Sequence, residues 1–143
     1  MLYVDTGCLL KLYYPEWNSA QVAAAVAGEE LCFCALHELE ITTALQLKIF
    51  RGEATNEQAT AALVAVEEDV GAGKLVRVHC NWPGAFRQAQ ELALAHSART
   101  GCRSLDTLHC AVALQLGPLE ILSTDTRQMA VAAAAGLTLR MLP

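Results

Sequence analysis

Short apolar runs recur along this chain: Leu2-Tyr3-Val4 and Leu31 to Cys34 are unbroken, Leu75 to Val78 and Leu119 to Leu122 each carry one charged residue, and Leu137 to Met141 is the one that alternates. A strand exposed on one face alternates apolar and polar residues, so continuous runs predict strands covered on both faces. The segments between them carry helix signals. Helices are expected from Thr6 to about Tyr14, stopped by Pro15; from Ser19 to Ala27, with Asn18 as cap and Gly28 beyond; and from about Leu36 to Phe50, before Gly52. Further helices are expected from Thr55 to Val70, closed by Gly71; from Pro83 to about Thr100, before Gly101; from a Ser104 cap to Leu116, broken by Gly117-Pro118; and from Thr126 to Ala135, ended by Gly136. Strands that alternate with helices predict an α/β domain of three layers, with helices flanking a central, mostly parallel sheet of four to five strands. In open parallel sheets, sites form beyond the carboxyl ends of strands.

The 143 residues fit one domain, residues 1–143. Hydrophobic residues make up 54% and charged residues 17%, so apolar surface should remain after a core is built, as expected of a chain with a partner or a second copy. The opening Met-Leu-Tyr-Val-Asp has no basic leader region, and polar residues break every apolar stretch before the roughly 20 residues of a membrane span. The expectation is a soluble cytoplasmic protein with no membrane association. Six cysteines, Cys8, Cys32, Cys34, Cys80, Cys102 and Cys110, show no zinc-ligand spacing and read as reduced apolar fillers. A net charge of −5 argues against a broad basic face coating nucleic acid, but not against local RNA binding.

Four acids combine charge with apolar surroundings: Asp5, Glu40, Asp106 and Asp125. Asp5 follows the first strand, Asp125 precedes the last helix, and Asp106 stands in the first turn after Ser104. Each of these three could simply cap a helix. Glu40 could not. On a helical wheel Leu36, Leu39, Thr43, Ala44, Leu47 and Phe50 form an apolar stripe, read as core-facing, with Glu40 inside it. Glu38 falls on the other side and reads as solvated. Carboxylates in apolar settings need compensation, and a hard divalent cation such as Mg²⁺ or Mn²⁺, with its preference for oxygen ligands, supplies it. Thr6, Ser123 and Thr124 flank the acids as supporting hydroxyls or as ordinary caps. His109 shares a helix face with Asp106 and reads as either a ligand or a buried structural histidine. Lys11, Arg103 and Arg127 are close in sequence to the acids and are candidate RNA phosphate contacts, or solvated surface charges.

The motifs resemble those of PIN-domain proteins, in particular the VapC-type toxins of bacterial toxin–antitoxin pairs. Tyr3-Val4-Asp5-Thr6 before an apolar helix resembles the first acidic motif, and Leu36 to Leu45 the second, with Glu40 as its acid. Leu105 to Ala113, with Asp106 opening an Ala-rich helix, resembles the third. Leu122-Ser123-Thr124-Asp125, with Ala132 to Leu137, resembles the fourth. Cys34 stands where many relatives carry Ser, and Ser123 where many carry Thr. The resemblance implies that the first and fourth strands lie side by side, and that Asp5, Glu40, Asp106 and Asp125 form a catalytic metal cluster. Asp5, Glu40 and Asp106 would hold the principal Mg²⁺ or Mn²⁺, and Asp125 would complete the shell or bind a second ion. It further implies RNA cleavage, homodimers and a cognate antitoxin. A second apolar stripe on the long helix, Ile41, Leu45 and Ile49, would be covered by the next helix or would form a groove for an antitoxin segment. Two other readings compete: a catalytically silent PIN-like interaction module, and a phosphoacceptor domain using Asp5 as nucleophile. The latter wants a Lys at a later strand end, where His79 and Ser123 stand instead.

Overall fold

The structure is a computed structural model that describes residues 1–117 and 120–143. Its strands are β1 (Tyr3–Val4), β2 (Leu31–Phe33), β3 (Leu75–Arg77), β4 (Glu120–Leu122) and β5 (Thr138–Leu139). Its helices are α1 (Thr6–Leu10), α2 (Ser19–Ala25), α3 (Ala35–Phe50), α4 (Asn56–Gly71), α5 (Trp82–Leu92), α6 (Ala98–Thr100), α7 (Ser104–Gln115) and α8 (Thr126–Ala134). The expected break at Pro118 and strand start at Leu119 lie outside the described residues. Strands and helices alternate as expected, and every strand pairing described is parallel. The pairings form a three-stranded sheet, β1-β4-β5, and a two-stranded sheet, β2-β3. The chain folds into two compact units, one of Met1–Asp5 with His79–Met141, the other of Thr6–Val78 with Leu142–Pro143.

In the first unit, Tyr3 and Val4 pair with Ile121 and Leu122, and Glu120 and Ile121 with Thr138 and Leu139. The Asp5 N–H extends this ladder to the Leu122 carbonyl at 2.9 Å. Residues Thr107 through Ala113 of α7 are all buried, as expected of a helix apolar around its whole circumference. Next to it packs α5, whose N-terminus Asn81 caps by accepting the Gly84 N–H at 3.2 Å. A Cβ at Gly84 would come within 2.6 Å of the Asn81 side chain, so this cap needs a residue without one. The expected single helix to Thr100 is interrupted by a π turn at Ala93–Ser97, with neither Pro nor Gly there to signal it. Gly101, at φ +70°, ends α6 and turns the chain toward Arg103 and Asp106.

In the second unit, Leu31, Cys32 and Phe33 pair with Leu75, Val76 and Arg77. Helix α1 is shorter than expected because the chain tightens after Leu10 into i→i−3 bonds, Leu12 N–H to Leu9 and Tyr13 N–H to Leu10. Asn18 precedes α2 but its side chain makes no cap; it is buried, and its Oδ1 has no hydrogen-bond partner among the described residues. Thr55 does cap α4, in a reciprocal box with Gln58 at 3.1 and 2.9 Å. The left-handed residue that closes α4 is Gly73, not Gly71.

Helix α3 is rotated relative to the sequence reading. Its buried positions are Leu36, His37, Ile41 and Leu45. Leu39 is 64% exposed, Leu47 45% and Phe50 86%. The stripe read as core-facing therefore points mostly to solvent, and of the two readings of the second stripe the structure supports the covered one, since Ile41 and Leu45 are buried. A helix apolar on two sides gives a wheel two solutions, and composition alone does not choose between them.

Candidate functional site

Asp5, Asp106 and Asp125 are placed by a strand end or a helix start, whereas Glu40 lies within α3. Asp5 is the residue after β1, 7% exposed, and its Oδ2 accepts a hydrogen bond from the Ser123 hydroxyl. Ser123 follows β4, the neighbouring strand, so parallel pairing brings the two carboxyl ends together. The same hydroxyl accepts the Asp125 N–H at 3.0 Å and faces Gln128 Oε1 at 2.9 Å. It has one hydrogen for two acceptors, Asp5 and Gln128. Gln128 Nε2 in turn donates to the Asp106 carbonyl at 3.4 Å. A buried polar chain thus runs from the end of β1 through the β4–α8 turn to the first turn of α7.

Gln128 was not among the residues singled out from the sequence. It is fully buried on α8 with Val131 and Ala132. Its spacing from them marks it as a polar group on a core stripe, the same signal that drew attention to Glu40.

Asp106 and Asp125 do cap helices, as their positions allowed. Asp125 Oδ1 accepts the backbone N–H groups of Arg127 at 2.8 Å and Gln128 at 3.3 Å. Asp106 reaches back with Oδ2 to the Arg103 N–H at 3.2 Å. Arg103, not Ser104, holds the N-cap position of α7, so the cap comes from the acid inside the first turn. Both acids also meet arginines. Arg103 Nε lies 3.3 Å from Asp106 Oδ2, and Arg127 Nη2 lies 3.0 Å from Asp125 Oδ2. The Arg127 hydrogen bond, with the two cap bonds, holds the Asp125 carboxyl below its usual range despite opposing burial.

Two buried thiols lie within the field of these charges. Burial, then the fields of Asp106 and Asp125, push Cys102 up to about 11. Burial, then Cys102, Asp106 and Asp5, push Cys110 up to about 12. Asp106 thus bears on both thiols, Asp125 on Cys102 and Asp5 on Cys110. At neutral pH both sulfurs stay protonated and are poor ligands, which leaves the carboxylates as the anionic donors.

The His109 ring is buried, and its Nδ1 lies 2.7 Å from the Tyr3 hydroxyl. Thr124 is exposed. Lys11, Thr6 and Glu40 belong to the other unit. There the Thr6 hydroxyl, on the residue next to Asp5 in the chain, donates to Glu40 Oε2 at 2.8 Å. Lys11 sits half-buried in the turn after α1. Glu38 pairs with Arg77 at the surface, close to Glu67. Cys34 occupies the N-cap position of α3 without a side-chain cap, and its N–H is taken by His37 Nδ1 at 3.2 Å.

All six cysteines are thiols. Among the described residues, no three His, Cys, Asp or Glu side chains form a group that could hold a metal ion as they stand. The donor chemistry nonetheless suits a hard cation, since Asp5, Ser123, Asp106 and Asp125 offer only oxygen. What keeps two of these carboxylates otherwise engaged is visible: Arg103 and Arg127 hold their Oδ2 atoms. No helix among the described residues is long and apolar enough to cross a membrane.

The sequence matches the PIN domain family over residues 2–134. No curated protein matches the chain at a significant level. The fold is similar to the crystal structure of FitAcB from Neisseria gonorrhoeae, with a TM-score of 0.63 at 16% identity, over 99% of this chain and 97% of that one. PIN domains are generally nucleases, and these generally use divalent metal ions. With the family pattern matched along nearly its whole length and parallel strands delivering Asp5 and Ser123 to one sheet end, the chain belongs to the PIN domain family.

Proposed function

We propose that the protein is a Mg²⁺- or Mn²⁺-dependent endoribonuclease, the VapC-type toxin of a toxin–antitoxin pair. What supports this reading is the buried hydrogen-bond chain that runs from the Asp5 carboxylate through Ser123 and Gln128 to the backbone of Asp125 and Asp106, in a family of nucleases. Asp5, Asp106 and Asp125 are the proposed ligands in one unit, and Glu40, held by Thr6, is proposed as the fourth from its sequence motif. When bound, a divalent cation would offset the charge of the phosphodiester and stabilise the charge that gathers in the transition state. The chain's own residues prepare for that. Ser123 fixes the Asp5 carboxylate, Gln128 ties Ser123 to the start of α7, and the caps on α7 and α8 fix the backbones that carry Asp106 and Asp125. Arg103 and Arg127 stand beside these acids with donors suited to phosphate. A homodimer bound by a cognate antitoxin, which rests on the sequence resemblance, and a cytoplasmic location, which rests on the lack of a leader-like or membrane-length apolar stretch in the sequence, complete the proposal.

The test is incubation of the purified protein with total RNA in Mg²⁺, Mn²⁺ or EDTA, followed by mapping of new ends. Discrete new ends in either metal, absent in EDTA, are expected; intact RNA in all three would refute the reading. One observation favours a silent interaction module instead: Asp106 and Asp125 are already satisfied by caps and arginines. Intact RNA together with tight antitoxin binding would select that module.

A further inference from the structure

Asp125 performs two tasks with two oxygens. Oδ1 caps α8 through backbone N–H groups, which stay with the helix whatever the side chains do. Oδ2 is held by Arg127 Nη2 at 3.0 Å, and Arg127 Nε spans to Oδ1 at 3.3 Å. This is a two-pronged guanidinium–carboxylate pair between residues two apart in sequence, with the arginine side chain 45% exposed. Such a pair is geometrically specific yet weak, because solvent and salt screen it.

Resting on the reading of Asp125 as a cation ligand, we propose that Arg127 is a resident substitute for the divalent ion: it holds Oδ2 of Asp125 until an ion displaces it, and so sets the metal affinity of the site. The two compete for that oxygen. A hard cation and a guanidinium seek the same lone pairs, and two positive charges drawn to one carboxylate oxygen repel each other, so each weakens the other's hold. The cap on Oδ1 survives the exchange, so α8 need not move. Exposure of Arg127 gives the displaced side chain room to turn into solvent. Its planar fork is then available to another anion, and a phosphodiester is the anion that the proposed reaction brings.

The proposal makes a sign prediction that a structural role does not. If Arg127 merely supported the α8 cap, removing it would weaken metal binding. If it competes, removing it tightens binding. Titration calorimetry with Mg²⁺ on the wild type, Arg127→Gln and Arg127→Lys measures this. Arg127→Gln should bind Mg²⁺ about two- to fivefold more tightly, the range of an exposed ion pair. Arg127→Lys, which keeps the charge and loses the fork, should fall between. In the wild type the Arg127 Nε–Hε resonance should shift with Mg²⁺ and saturate at the calorimetric affinity, a readout that needs no variant. Unchanged or weaker binding by Arg127→Gln, or an Nε–Hε signal indifferent to bound Mg²⁺, overturns this proposal alone. Absence of Mg²⁺ binding by the wild type overturns the functional reading and this proposal with it.

Discussion

Ser123 shows how much rests on a single hydroxyl. It touches the Asp5 carboxylate, the Asp125 N–H and the Gln128 amide. Ser123→Ala would leave buried polar groups unpaired, and about 1–3 kcal/mol of stability should be lost in urea unfolding. Ser123→Thr, which retains the hydroxyl, should keep most of it. The thiols respond to pH in a stated direction. Cys102 and Cys110 are raised from 9.0 to about 11 and about 12, so the folded state favours their protonated forms. That contribution is complete below 9.0, declines as pH rises beyond it and is gone above the folded values. Alkylation at pH 8 followed by peptide mapping should therefore mark the half-buried Cys80 first and leave Cys102 and Cys110 slow. Rapid labelling of Cys110 in folded protein would contradict this burial.

At the scale of elements, the orientation of α3 makes the sharpest forecast. Leu45→Ala should cost about 2–5 kcal/mol, as for a buried leucine, whereas Phe50→Gln should stay within about 0.5 kcal/mol. Denaturant midpoints of the two variants decide it, and the reverse ranking would restore the stripe first read from the wheel. The contrast marks what the sequence could reveal. Apolar runs bounded by Gly, Pro and capping residues located strands and helices, because those signals are local. The side of α3 facing the core is a tertiary fact, and two apolar stripes made it ambiguous. The positions of Asp5, Asp106 and Asp125 at a strand end and at helix starts were legible because those places are written in local chemistry. Gln128 carries no charge and so stands out less, yet a buried amide on a core stripe also needs partners. The arginine pairs were hidden for another reason: phosphate contact and solvated surface charge were the two readings open for Arg103 and Arg127, and the fold pairs them with Asp106 and Asp125 instead.

At the scale of the whole molecule, the apolar residues left exposed on α3, Leu39, Leu47 and Phe50, accord with the surplus hydrophobicity of the sequence. If the proposed homodimer forms, light scattering should report twice the 15.3 kDa chain mass; a strictly monomeric protein at micromolar concentration would remove that part of the proposal. The central claim is chemical, and one assay reaches it most directly: cleavage of a defined RNA in Mg²⁺ by the wild type and by Asp5→Asn, with circular dichroism confirming that both are folded. The account expects metal-dependent cleavage by the wild type and its loss in Asp5→Asn. Undiminished cleavage by folded Asp5→Asn would contradict it.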